Sequence, residues 1–272
     1  MHRKRLKVGI IGCGTIGGEI ARACYSKLKN KVELSGLCDV DTGKAAGLSR
    51  SLKGRVRVMK IEELIKSSQF IVEAASGSIS AKIASSCVSA GKDCLIMSVG
   101  GLIGKESIFK SAEKRGVRVF IPSGAISGID GLKSAMAGRV DSVTLTTRKP
   151  PKGLMGSPYI KENNIDLLTI ESETVIFDGT AAEAVKAFPQ NVNVSAVLSL
   201  AGIGAKRTRV RIVTSPEYTS NIHEIEIAGE SGNIKSRTEN RPSAANPKTS
   251  ALAAYSAIAT LEAASSSVRI GT

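Results

Sequence analysis

The sequence predicts an α/β protein: a doubly wound parallel sheet, followed by a second α+β domain with an antiparallel or mixed sheet. Three observations predict it. Residues 6–39 carry an apolar β-branched run, a G-x-G-x-x-G spacing, a helical pattern and a second apolar run ending in an acid. Strand and helix patterns then alternate as far as residue 121. Past residue 125 the rhythm changes to strands with period-two alternation.

The first stretch organises the rest. Val8, Ile10 and Ile11 form a short run of the kind buried on both faces of a parallel sheet. Gly12, Gly14 and Gly17 follow, and a helical pattern covers residues 16–28. Gly12 permits the tight turn out of the strand. Gly14, lacking Cβ, lets a pyrophosphate approach the backbone, and Gly17 lets the helix pack on the strand. Thr15 and Ile16 complete the loop and offer N–H groups at the positive end of the helix. Asp39 closes the second strand about 20 residues past Gly17, where an acid accepts hydrogen bonds from ribose hydroxyls. The glycine spacing alone is weak evidence. Strand, glycines, helix, strand and acid in this order are the context of a Rossmann dinucleotide site. A Gly-rich turn without a ligand explains Gly12 but not Asp39.

Further along, Thr42 is expected to cap a short helix, residues 56–59 to form a strand, and residues 61–65 a helix. Residues 69–75, 93–99 and 117–121 read as strands, separated by helices closed by Gly91 and Gly116. That makes six parallel strands. Their carboxyl ends include Ala75, Ser76 and Ala125, small residues that leave room for a nicotinamide. Each of these ends also reads as a simple tight turn.

In the second half, residues 127–137 read as a helix and 141–148 as a half-exposed strand stopped by Pro150 and Pro151. A polar, loop-rich stretch covers 152–172. A strand at 174–177, a helix at 180–187 and a second helix to residue 200 follow. Residues 208–214, 221–228 and 233–238 are strands. Asn246 reads as a helix cap with Pro247 at the first helical position, opening a long Ala-rich helix to about residue 264. That helix is expected to return to the first domain. The expected domains are 1–124 plus 246–272 for the dinucleotide, and 125–245 for the substrate, catalysis and dimerisation.

Composition narrows the classes. At 272 residues the chain has room for one large domain or two modest ones. The net charge of +14 makes nucleic acid a partner to consider. The basic residues are spread along the chain, however, and the tightest cluster is His2-Arg3-Lys4-Arg5 at a terminus. With 3% aromatic residues and no Trp, a base-stacking surface is not expected. The charge reads as solubility and attraction for anionic ligands. No stretch of about 20 apolar residues is present, so no membrane span is expected. The five cysteines are odd in number, contain no C-x-x-C and all lie in the first hundred residues. They read as small buried hydrophobes in a reducing cytoplasm. No metal is expected.

Candidate chemistry concentrates in the second half. His223 lies in the strand NIHEIEI, where alternation puts it on the apolar side with Ile225 and Ile227. An imidazole there serves as acid or base near neutral pH, or is a satisfied structural histidine. Arg148 or Lys149, at a strand end, could hold a carboxylate. Lys206, Arg207, Arg209, Arg211 and Lys248 are further cations. Asn191 and Asn193 sit where a helix starts, either as caps or as amides facing a nicotinamide or substrate.

These segments together resemble one family. GIIGCGTIG at 9–17, VEAAS at 72–76, SVGGL at 98–102, PSGAISGIDGL at 122–132 and TTRKPP at 146–151 are similar to L-aspartate dehydrogenases. So are FDGTAAEAVKAFPQNVNV at 177–194, NIHEIEIAGESG at 221–232 and NPKTSALAAYS at 246–256. The resemblance covers nearly the whole chain, with local departures at 194–196 and Arg241. It implies His223 as the catalytic residue, and Ala125 and Asn191 as cofactor ligands. It implies NAD- or NADP-dependent oxidation of L-aspartate to iminoaspartate, which water converts to oxaloacetate and ammonia. It also implies a cytoplasmic homodimer, linked through iminoaspartate to quinolinate synthase and the biosynthesis of NAD. Asp39 favours NAD, since a carboxylate repels a 2′-phosphate, whereas Arg55 and Arg57 could tolerate NADP. Two alternatives are kept. One is a related amino- or hydroxy-acid enzyme such as a homoserine dehydrogenase or a dihydrodipicolinate reductase, the latter weakened by the lack of a paired-histidine motif. The other is a dinucleotide-binding sensor without catalysis.

Overall fold

Short runs of branched apolar residues without alternation become strands buried on both faces, and the first half of the chain is built from them. The computed structural model describes residues 4–189, 193–243 and 246–272. Contacts divide the chain into two units, Met1–Pro122 with Ala253–Ile270, and Ser123–Leu252 with Gly271–Thr272.

The first unit contains β1 (Leu6–Ile11), α1 (Thr15–Tyr25), β2 (Val32–Cys38), α2 (Thr42–Ser51), α3 (Ile61–Ser67) and β3 (Phe70–Glu73). It continues with α4 (Gly77–Ser89), β4 (Asp93–Ile96), α5 (Glu106–Arg115) and β5 (Val119–Phe120). The five strands are parallel, in the order β2-β1-β3-β4-β5. The chain leaves β1 toward β2 and resumes on the other side with β3. The order therefore reverses at β1/β3, the place where such sheets bind ligands.

Two expectations are corrected here. Residues 56–59 form no strand, so the sheet has five strands and not six. Leu37 accounts for the pairing, donating its N–H to Arg57 O at 2.8 Å and accepting from Met59 N at 2.9 Å, which gives one parallel bridge to Val58. The pairing goes no further because Lys53 and Gly54, both at positive φ, turn the chain just before it. The cap of α2 is Asp41, which accepts from Lys44 N at 3.2 Å; Thr42 is the first helical residue.

The second unit contains α6 (Ile129–Ala135), β6 (Val140–Lys149), α7 (Pro158–Glu162), β7 (Thr174–Thr180), α8 (Ala181–Ala187), α9 (Asn193–Ala201), β8 (Arg209–Thr214), β9 (Asn221–Gly229) and β10 (Gly232–Asn240). α8 starts with a capping box between Thr180 and Glu183. Its sheet is mixed, in the order β10-β9-β6-β8-β7, and only β6 and β8 run parallel. The alternation sorts the two faces. Val143, Leu145, Val210, Ile212, Ile225 and Ile227 turn inward and pack with Leu132 of α6, Ala184 of α8 and Leu198 of α9. The opposite face carries ion pairs, including Arg209–Asp178 at 2.8 Å and Lys235–Glu226 at 2.8 Å.

The chain then forms β11 (Pro242–Ser243) and β12 (Asn246–Ser250), an antiparallel ribbon, before α10 (Ala251–Ala264). The helix expected from residue 246 therefore starts at Ala251. The polar run before it has no apolar helical face to bury, and Pro247 is tolerated in a two-stranded ribbon with open edges. Within the first unit, Ala257 and Leu261 are fully buried against the strands, so the small residues of α10 complete that core.

Candidate active site

In the first unit the chemistry begins at the glycine loop. Gly12 has φ +97, and a Cβ there would meet Ala74 C and O at 2.4 Å and Ala75 N at 2.7 Å. A Cβ on Gly17 would stand 1.8 Å from Gly12 O. Those two glycines are required by the protein's own packing. Gly14 is different: it is exposed, and a Cβ on it would meet nothing within 4 Å. Gly14 is also the N-cap of α1, without a side-chain cap and with no acid in the first turn. Its space and the N–H groups of Thr15 and Ile16 fit a phosphate, by geometry and by the sign of the helix dipole.

Asp39 stands at the end of β2. Its Oδ2 accepts from Cys13 N at 2.6 Å and its Oδ1 from Asp41 N at 2.9 Å. These two bonds aim the carboxylate and leave lone pairs on both oxygens for ribose hydroxyls. Ala75 and Ser76 are exposed just past β3, and the Ser76 hydroxyl lies 2.8 Å from that of Ser78. The structure therefore gathers Gly12, Gly14, Thr15, Ile16, Gly17, Asp39, Ala75 and Ser76 at the carboxyl ends of β1, β2 and β3. The residues present fit a dinucleotide.

In the second unit His223 is 5% exposed. It lies directly opposite Thr147 in the β6–β9 ladder, and its Nδ1 is 3.0 Å from Thr147 Oγ1. Lys149, two residues further along β6, points to the same side. Leu145, Thr147, Lys149, Leu154, Ala184 and Ser195 line one small cleft on that face. Burial pushes the His223 pKa down to about 3, with the positive charge of Lys149 adding to the effect. Burial alone pushes Lys149 down to about 8. His223 is thus neutral at pH 7 and Lys149 still mostly charged.

Arg148 takes the other face, because neighbouring strand residues point to opposite sides. There its guanidinium is paired with Glu224 and lies 3.4 Å from Glu173. Of the two cations expected to hold a carboxylate, Lys149 accompanies His223 and Arg148 does not. Arg209 and Arg211 are likewise paired with Asp178, at 2.8 and 3.5 Å. Asn193 is exposed at the first position of α9. His2, Asn191 and the side chain of Lys248 lie outside the described residues. Ala125 is 9% exposed, and its carbonyl accepts from Asn240 Nδ2 at 2.9 Å.

Sequence reasoning missed Thr147, Asn240 and Glu73. Alternation along β6 hints at Thr147, two residues before Lys149, but the register that sets it opposite His223 is a tertiary fact. Glu73 reads as part of an apolar strand, yet it is fully buried. All five cysteines are free and buried, and burial pushes Cys13 and Cys24 up to about 12, far from a reactive thiolate. Among the described residues no cluster of His, Cys, Asp and Glu could hold a metal, and no helix is long and apolar enough to cross a membrane.

The chain is similar to known proteins over nearly its whole length. Residues 130–264 match the family model "Aspartate dehydrogenase, C-terminal", and residues 12–122 match "Homoserine dehydrogenase, NAD binding domain". The chain is 51% identical over 271 residues to L-aspartate dehydrogenase of Methanosarcina mazei, covering 98% of this chain and 100% of that one. It is 46% identical over 269 residues to L-aspartate dehydrogenase of Methanocella arvoryzae, covering 98% and 99%. Among solved structures, aspartate dehydrogenase of Thermotoga maritima aligns with a TM-score of 0.76 at 26% identity, covering 98% of this chain and 100% of that one. With a glycine loop shaped for a dinucleotide and a buried histidine beside a lysine, the chain belongs to the L-aspartate dehydrogenase family.

Proposed function

We propose that this protein oxidises L-aspartate to iminoaspartate with a nicotinamide dinucleotide, the imine then hydrolysing to oxaloacetate and ammonia. The observation that carries the reading is the shared face of His223, Thr147 and Lys149 in one sheet.

L-Aspartate brings two carboxylates and an ammonium. An ammonium nitrogen has no lone pair to form a C=N bond, so it must first lose a proton. His223 accepts that proton at Nε2, while Thr147 fixes the ring through Nδ1. Lys149 pairs with a substrate carboxylate. That pairing also cancels part of the charge holding the His223 pKa down, and the second carboxylate raises it further. The substrate thereby makes His223 a better base at the moment a base is needed. The bound nicotinamide supplies the acceptor for the Cα hydride. Water adds to the iminium carbon and ammonium leaves.

For the cofactor, Asp39 favours NAD, because its aimed carboxylate accepts from a free ribose hydroxyl and repels a 2′-phosphate. The reading also carries Asn191 and Ala125 as cofactor ligands, a cytoplasmic homodimer, and delivery of iminoaspartate to quinolinate synthase. These rest on the resemblance of the motifs.

The test follows near-ultraviolet absorbance of the reduced nicotinamide with purified protein, NAD or NADP, and L-aspartate, beside D-aspartate, L-glutamate and homoserine. A signal with L-aspartate alone is expected. Turnover of homoserine instead would move the protein to the reaction named by its amino-terminal family match. Tight binding of reduced dinucleotide with no turnover of any substrate would favour a sensor.

A further inference from the structure

Glu73, the last residue of β3, has no exposed surface. A carboxylate there is costly unless its oxygens are satisfied. Three donors satisfy it. Ala75 N–H and the Ser98 hydroxyl both donate to Oε1 at 2.8 Å, and Ser98 N–H donates to Oε2 at 3.0 Å. Burial pushes its pKa up, while the bonds from Ser98 and Ala75 act the other way.

These bonds tie together two loop starts. Ala75 follows β3 and Ser98 follows β4, both at the carboxyl edge of the sheet. The segment after β3 is also wedged from both sides. The absent Cβ of Gly12 leaves room for Ala74 and Ala75, and the absent Cβ of Gly101 leaves room for Gly77 O and Ser80 Oγ, which it would meet at 2.1 and 2.3 Å. Asp39 and Gly14 address the ribose and phosphates on the β1–β2 side of the switch point. The other half of a dinucleotide therefore lies along the β3 and β4 ends.

We propose that Glu73 is a positioning residue for the nicotinamide half of the cofactor, its buried carboxylate holding the Ala75 and Ser98 backbones at the switch point. This rests on the dinucleotide reading of the first unit. It requires no contact between Glu73 and the cofactor.

The test compares affinity for NADH with affinity for ADP-ribose, which lacks the nicotinamide. The variants are Glu73→Gln, which turns an amide donor or a weaker acceptor toward Ser98, together with Ser98→Ala and Ser98→Thr. Glu73→Gln is expected to weaken NADH binding about tenfold and Ser98→Ala several-fold, Ser98→Thr restoring it, with ADP-ribose held within about twofold throughout. A parallel loss of both ligands would overturn the proposal, because general damage to the fold would explain it. Unchanged NADH affinity in folded variants would overturn it as well. If Glu73→Gln fails to fold, Ser98→Ala decides the matter by the same criteria. If the wild-type protein binds neither ligand, the dinucleotide reading itself falls; that outcome is distinct from a wild type that binds NADH and variants that bind it equally well.

Discussion

Lys149 stands on a mostly apolar sheet face, and replacing it with methionine removes a charge at nearly constant shape. Its pKa of about 8, against 10.5 in an unfolded chain, measures how much folding disfavours the ammonium. Two and a half units correspond to about 3 kcal/mol. Between those two values the unfolded chain holds a proton that the folded chain has released, so stability rises with pH across that window. The penalty is therefore fully present at pH 7 and gone above about pH 10.5. Lys149→Met is expected to shift stability against urea in the favourable direction by about 2–3 kcal/mol more at pH 7 than at pH 10.5. The same change removes the cation proposed for a substrate carboxylate. A charge-assisted bond of roughly 1.5–3 kcal/mol translates into a KM for L-aspartate higher by about 10–100-fold. A variant whose pH-dependent stability penalty disappears while substrate binding is lost is what a functional charge of displaced pKa should give. Equal stability changes at the two pH values, or an unchanged KM, would refute the reasoning.

Gly14→Ala should cost only about 0.5–1 kcal/mol of stability, the loss of a glycine N-cap, since its Cβ meets nothing, yet weaken dinucleotide binding at least tenfold; melting curves with and without cofactor separate the two effects. Gly17→Ala should do the reverse in order of cause, costing roughly 1–3 kcal/mol of folding stability because its Cβ meets Gly12 O. Thr147→Val keeps the shape but removes the partner of His223 Nδ1, and should lower kcat about tenfold with KM for L-aspartate little changed, measured in initial-rate assays. Asp39→Ser should shift the ratio of kcat/KM for NADP over NAD upward by about tenfold or more, while cofactor affinity falls in general because Cys13 N–H loses its acceptor.

Local signals made the first unit legible. A β-branched run, glycines at fixed spacing and an acid after the second strand are all consequences of the backbone's own geometry, and the structure places them at one edge of the sheet. The strand expected at 56–59 looked the same locally, but one bridge is all that β2 offers it. The start of α10 was misplaced for a related reason. Asn246 and Pro247 read as a cap and a first turn, and only the pairing with β11 shows that they form a strand. In the second unit period-two alternation placed His223 on the inner face, where it is buried. It could not choose between Arg148 and Lys149 without the register of β6 against β9. Glu73 was invisible because its partners, Ala75 and Ser98, come from two different strand ends.

The inner face of the second sheet pairs two groups that burial displaces in the same direction. His223 and Lys149 are both cationic acids, and both lose proton affinity when removed from water. The Lys149 charge also makes the His223 imidazolium less favourable, so at neutral pH the free protein holds its positive charge there on Lys149. An anionic ligand reverses this: one carboxylate stabilises the Lys149 ammonium, and a second negative charge permits the His223 imidazolium that proton abstraction produces. A monocarboxylate supplies only the first of these. In the proposed reaction L-aspartate, with its two carboxylates, supplies both.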